Sequence, residues 1–325
     1  MRFAVVGAGA IGAYLGAKLA HAGEDVSLIA RGPHLKAMQT DGVRVRSPEG
    51  DFEARPVATD DYNKVGPVDF VLLTLKAHSL PEIAPKLAPL LGPETAVVSA
   101  QNGIPWWYFQ RLSGPWDGAV LESVDPGGVI AKAIQPERII GCIVYPSTVI
   151  TKPGVVEHIE GNRLAIGELD GAGSERCKRL SSALSAAGFT CRIRQHIRHD
   201  LWVKLLGNVV FNPLSALTGA TLVQIATHPE AGAIAREVMT EADAVARALG
   251  VEISVSIDQR MSGAEKVGHH KTSMLQDVES GRPMELESVV GAVVELGEEL
   301  GISMPHTRTL YGCAKLLAQR LASET

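Results

Sequence analysis

Apolar residues run unbroken through positions 3–6, give way to a glycine-rich turn at 7–12, and resume in a helix-like stretch that Gly23 stops. Residues 25–30, Asp25-Val26-Ser27-Leu28-Ile29-Ala30, read as a second strand. Strand, glycine turn, helix and strand within about thirty residues make a βαβ unit. The alternation continues with a strand at 68–74, an amphipathic helix at 81–91 and a strand at 96–99. Strands that are apolar throughout, separated by helices, predict a parallel sheet covered on both faces.

Residues 113–137 break this rhythm with Gly114-Pro115 and Asp125-Pro126-Gly127-Gly128. Such a stretch predicts a long irregular loop of functional character. Strand-like pieces return at 139–145, 155–159 and 164–166, with turns at Pro153-Gly154 and Gly161-Asn162. A helix at 175–187 and a strand at 189–193 close the first half. From Arg198 onward the pattern is helical, with Asp200 as N-cap of the opening helix and further helices at 229–249, 261–279, 285–300 and from 307. The expected fold class is α/β: an N-terminal Rossmann-type doubly wound sheet (residues 1–194) followed by an all-α C-terminal domain (195–325).

One helical stretch inverts the usual arrangement. Lys204, Asn208 and Asn212 are spaced four apart in a run, 201–213, that is otherwise almost wholly apolar. At helical spacing they form one polar stripe roughly 12 Å long. A lysine and two amides in an apolar setting cost several kcal/mol unless paired, so the stripe is expected to face a cleft or a ligand.

Composition narrows the class. A 325-residue chain with 46% hydrophobic and 21% charged residues suits two globular domains. A net charge of -5 gives no reason to expect a nucleic acid partner. No apolar run reaches membrane-spanning length, and a strand beginning at once leaves no room for a signal peptide, so a cytoplasmic location is expected. Four scattered cysteines and the adjacent His269-His270, which point apart on a helix, suggest free thiols and no metal site.

The turn Gly7-Ala8-Gly9-Ala10-Ile11-Gly12 follows a strand and opens a helix, the setting in which glycines let backbone approach a pyrophosphate at a helix N-terminus. The next strand ends in Ala30-Arg31, without the acid that would hold the ribose hydroxyls of NAD. An arginine there suits a 2′-phosphate, so the expected cofactor is NADP(H). His34 and Lys36 are placed to assist, although simple exposure accounts for both better. Lys76 and Asn102 follow the strands at 68–74 and 96–99, at the end of the sheet where ligands bind.

Taken together, Gly7–Gly12, Arg31, Thr74-Leu75-Lys76-Ala77, Gln101-Asn102-Gly103, the Trp202, Lys204, Asn208, Asn212-Pro213 series and Ser273-Met274-Leu275-Gln276-Asp277 followed by Glu285 resemble the ketopantoate (2-dehydropantoate 2-) reductase family over nearly the whole chain. The resemblance implies NADPH-dependent reduction of a 2-oxo acid, 2-dehydropantoate to pantoate, on the route to pantothenate and coenzyme A. It implies Lys204 as general acid and Glu285 as the carboxylate for the substrate hydroxyl. It also implies substrate contacts at Asn102, Asn208, Asn212 and Ser273, and cofactor or substrate contact at Lys76. The chemistry of Lys204 agrees on its own: hydride addition to a ketone leaves charge on oxygen, which an ammonium stabilises and then protonates.

The chain departs from the family pattern at 113–137, a segment placed to reshape the pocket or make a subunit contact, so a homodimer stands among the expected partners. Two other functions fit the residues: reduction or oxidation of a different 2-oxo or 2-hydroxy acid, and a non-catalytic NADP(H) sensor. Retention of both Lys204 and Glu285 argues against the sensor.

Overall fold

A computed structural model describes residues 1–323. Among the described residues twelve strands form: β1 Arg2–Val6, β2 Asp25–Ile29, β3 Val43–Arg46, β4 Phe52–Ala54, β5 Val57–Thr59, β6 Val68–Leu73, β7 Leu91–Ser99, β8 Ile139–Val144, β9 Ser147–Lys152, β10 Val155–Glu160, β11 Arg163–Glu168 and β12 Thr190–Ile193. The chain divides into two compact units. The first comprises residues 1–101, 109–120 and 127–197; the second takes 102–108, 121–126 and 198–325.

The main sheet of the first unit has the order β12-β11-β8-β7-β6-β1-β2-β5. Its strands from β5 to β8 are parallel, but β11 runs antiparallel to β8, which corrects the all-parallel expectation. The order of strand addition reverses at β1, with β2 on one side of it and β6 on the other, so the switch point of the sheet falls at the carboxyl end of β1.

A second sheet, β4-β3-β10-β9, was not foreseen. It explains the helix Ala10–His21, in which Gly12, Ala13, Tyr14, Leu15, Gly16, Ala17 and Leu19 are all buried. One side of that helix packs on β1 and β2 and the other on β3, β4, β9 and β10. A helix apolar on every side needs cover on every side.

The helix expected at 81–91 is instead one α turn, Leu80–Ile83, followed by a 3₁₀ stretch, Ala84–Leu90. Pro85 and Pro89 have no N–H to give the α ladder. Residues 113–137 are less irregular than expected. They include the helix Val129–Ala133, and the N–H groups of Glu122 and Ser123 donate to the Glu295 carboxylate at 2.7 and 2.9 Å within the second unit.

The second unit is helical: Ile197–Thr218, Leu222–Thr227, Pro229–Ala248, Ile257–Val267, Ser273–Glu279, Ala292–Glu299 and Pro305–Ser323. The opening helix starts at Ile197, so Asp200 lies in its first turn and is not the N-cap. The single helix expected at 261–279 is two, because Gly268 (φ +79°) ends one and the Thr272 hydroxyl caps the next by accepting from Leu275 N–H. A π turn, Glu287–Gly291, precedes Ala292–Glu299. Among the described residues no helix is long and apolar enough to cross a membrane.

Candidate active site

The glycine turn is set by space as much as by flexibility. Gly7 has φ +93°, and a Cβ on it would lie 2.6 Å from the Leu75 side chain. A Cβ on Gly12 would lie 2.4 Å from Thr74 Oγ1 and 2.5 Å from the Gly7 carbonyl. Gly9 differs: a Cβ there would meet only the Gly7 carbonyl, at 3.9 Å, and the residue is exposed. Two glycines therefore seat the turn on the sheet, and the third leaves its outer side open to a ligand. Gly7 and Ala8 both donate N–H to the Ile29 carbonyl at 3.0 Å. Ala10, Ile11 and Gly12 then begin the helix, where the first amides have no helical acceptor and favour an anion.

Neighbouring strand ends brace this turn. Thr74 Oγ1 donates to the Gly7 carbonyl at 2.9 Å. Gln101 Nε2 donates to the carbonyls of Leu73 and Leu75 at 2.8 and 3.2 Å, and its Oε1 accepts from the Ser99 hydroxyl at 2.6 Å. The sequence reading quoted Thr74 and Gln101 but gave them no part. Their signal was a hydroxyl and an amide at the carboxyl ends of buried strands.

Arg31 is exposed and is the N-cap residue of the helix Gly32–Asp41, just past β2. Lys76 is half-buried and precedes a 3₁₀ turn beyond β6. His34 is also half-buried, and its Nδ1 accepts from Gly154 N–H at 3.0 Å. Burial holds its pKa below the usual histidine range, against a smaller opposing pull from the Ala8 backbone. The ring is tied to Gly154 through Nδ1, and only Lys36 of that pair is exposed.

In the second unit, Lys204 Nζ donates to Asn102 Oδ1 at 2.7 Å, and Asn102 Nδ2 donates to Glu285 Oε2 at 3.3 Å. An ammonium can only donate and a carboxylate can only accept, so this chain fixes which way the amide faces. Asn208 and Asn212 continue along the helix from Lys204; Asn208 is half-buried and Asn212 buried. Ser273 is exposed at the first position of its helix and stands outside the Lys204–Asn102–Glu285 chain.

Two further contacts support this part of the chain. The Arg260 guanidinium donates to the Lys204 carbonyl at 3.4 Å and lies over Gly207, where a Cβ would be 2.5 Å from two of its nitrogens. Trp202 is fully buried and donates Nε1–H to Tyr108 Oη at 2.7 Å. Burial pushes the Tyr108 pKa up to about 12, and Trp106 and Trp107 are buried beside it in sequence. These aromatics anchor the segment that follows Asn102.

A sheet whose switch point ends in a braced glycine turn, with a lysine linked through an amide to a carboxylate on a helical unit, defines a class: dinucleotide-dependent oxidoreductases. The family follows from comparison with known proteins. The family model for ketopantoate reductase PanE/ApbA matches residues 3–106, and that for its C terminal domain matches residues 196–318. A 2-dehydropantoate 2-reductase of Mesorhizobium japonicum is 46% identical over 320 residues, 98% of each chain. A crystal structure from Ralstonia solanacearum MolK2 is 40% identical and covers 99% of this chain and 98% of its own, with a TM-score of 0.94. The 2-dehydropantoate 2-reductase of Methylococcus capsulatus, 30% identical over 99% of this chain and 98% of its own, has a TM-score of 0.83. The chain belongs to the ketopantoate reductase family.

Proposed function

We propose that this protein is a cytoplasmic reductase that converts 2-dehydropantoate to pantoate with NADPH, residues 1–194 serving the cofactor and 195–325 the substrate. The observation that carries the reading is the hydrogen-bonded chain from Lys204 through Asn102 to Glu285. When bound, the nicotinamide supplies the hydride that reduces the substrate's ketone carbon.

Lys204 stabilises the charge that develops on the ketone oxygen and gives it a proton, leaving a hydroxyl. Asn102 accepts from the ammonium and so holds it in place. Glu285 accepts a hydrogen bond from a substrate hydroxyl, while Asn208, Asn212 and Ser273 hold the rest of the acid. Solvent then restores the proton that Lys204 gives.

For the cofactor, the crowded Gly7 and Gly12 with the open side of Gly9 fit a pyrophosphate above the turn. Ala8, Ala10 and Ile11 complete that cradle. Exposed Arg31 at a helix N-terminus suits a 2′-phosphate, and Lys76 suits the nicotinamide ribose or the substrate carboxylate. Purified protein assayed for NADPH oxidation across a panel of 2-oxo acids tests the reading. Turnover with ketopantoate preferred is expected, and no turnover with any of the acids would overturn it.

A further inference from the structure

Gly103 has φ +84°, and a Cβ on it would lie 2.1 Å from the Ser288 carbonyl oxygen and 2.3 Å from its carbon. No side chain fits there without the two backbones parting. The next residue, Ile104, donates its N–H to the same Ser288 oxygen at 2.7 Å.

That oxygen is available because of the π turn. In an α-helix the Ala292 N–H would bond to the carbonyl four residues back, at Ser288. Here it bonds to Glu287, five back, and Ser288 takes its donor from residue 104 instead. The π turn begins two residues after Glu285, and Gly103 follows Asn102 directly. The two backbones that clasp therefore carry the two side chains that meet at 3.3 Å, Asn102 Nδ2 and Glu285 Oε2.

The outer face of the turn has its own brace. Tyr311 donates its hydroxyl to Glu287 Oε2 at 2.6 Å, and Lys315 Nζ lies 3.5 Å from Glu287 Oε1. Gly291 makes room for this: a Cβ there would lie 2.5 Å from Glu287 Oε2.

We propose that Gly103 and the π turn at Glu287–Gly291 form a positioning clasp, in which the displaced Ser288 carbonyl holds the Ile104 N–H and thereby sets Asn102 between Lys204 and Glu285. Gly103 and Tyr311 are positioning residues that act through Asn102. The inference rests on the reductase reading of the site, and a substrate-free measurement separates the two.

Amide exchange and kinetics together test it. In the wild type the Ile104 amide exchanges slowly. In Gly103→Ala it exchanges fast and kcat with ketopantoate falls at least about tenfold, with NADPH binding unchanged. In an Asn102→Ala background, Gly103→Ala costs nothing further, because its effect has already been removed. Losses that multiply in the double variant, or a freed Ile104 amide with wild-type kcat, overturn the proposal.

Should Gly103→Ala not fold, Tyr311→Phe approaches the clasp from its outer side. A drop in kcat of about threefold that vanishes in the Asn102→Ala background supports it; an equal drop in both backgrounds, or none, overturns it. A protected Ile104 amide in wild-type protein that does not reduce ketopantoate would overturn the functional reading and leave the clasp standing.

Discussion

Lys204 and Asn102, 102 residues apart in the chain, meet through a 2.7 Å hydrogen bond from the lysine ammonium to the amide oxygen. The bond leaves the amide nitrogen pointing at Glu285, so one short side chain spans a cation and a carboxylate. Replacing Asn102 by Ala removes two hydrogen bonds to charged groups, the shorter of them worth about 1.5–3 kcal/mol. Steady-state kinetics on Asn102→Ala are expected to show kcat lowered by about 10–100-fold. A kcat equal to that of the wild type would mean that the amide only fills space.

Arg31 sits past β2 where an acid would have selected NAD. Arg31→Ala is expected to weaken NADPH by about 10–100-fold while leaving NADH nearly unchanged, measured by fluorescence titration with each. Equal losses for both cofactors would remove Arg31 as the ligand of the 2′-phosphate.

Gly12→Ala drives a methyl to within 2.4 Å of Thr74 Oγ1, which itself holds the Gly7 carbonyl. Strand and helix must part, so both the melting temperature and NADPH affinity are expected to fall. The paired variant Thr74→Ala gives up the hydroxyl bond and relieves the contact with Thr74, while the 2.5 Å approach to the Gly7 carbonyl remains. Gly12→Ala/Thr74→Ala is therefore expected to regain part of the lost melting temperature, whereas a further drop would argue against the steric account.

Stability at low pH is expected to run through Glu241, which caps the helix Pro305–Ser323. Its carboxylate accepts from the Thr307 N–H and hydroxyl at 2.8 and 2.6 Å and from the His306 N–H at 3.0 Å. Desolvation pushes the Glu241 pKa up, but these bonds outweigh it and the net shift is downward. A depressed folded-state pKa gives stability that is present above the unfolded value and lost as pH falls through the folded one. Denaturant titrations should therefore show the wild type losing its advantage over Glu241→Gln as pH drops below the ordinary carboxylate range. At neutral pH the gap is expected to be about 1–3 kcal/mol.

Much of this framework is legible from local pattern. The glycine turn declares itself because strand, turn and helix are contiguous, and the Lys204 stripe because four-residue spacing in an apolar run has one geometric meaning. Other features were present but unread. Val43-Arg44-Val45-Arg46 alternates as a half-buried strand should, and its valines are buried and its arginines exposed in β3. Pro85 and Pro89 likewise signalled the broken helix at Ala84–Leu90.

What sequence could not disclose depends on distant segments meeting backbone across long separations. The Ser288 carbonyl, the Gln101 bridge and the seat of Arg260 on Gly207 have no local periodicity, because each exists only once distant segments pack. Asn102 itself was read as a contact for ligands, without its place between Lys204 and Glu285.

The central claim is that Lys204 delivers the proton. The most direct measurement compares ketopantoate reduction by wild-type and Lys204→Ala protein at saturating NADPH, with NADPH affinity determined separately by titration. If Lys204 is the proton donor, kcat falls by about 10²–10⁴-fold with cofactor affinity retained. A Lys204→Ala protein whose kcat stays within about threefold of the wild type would contradict it.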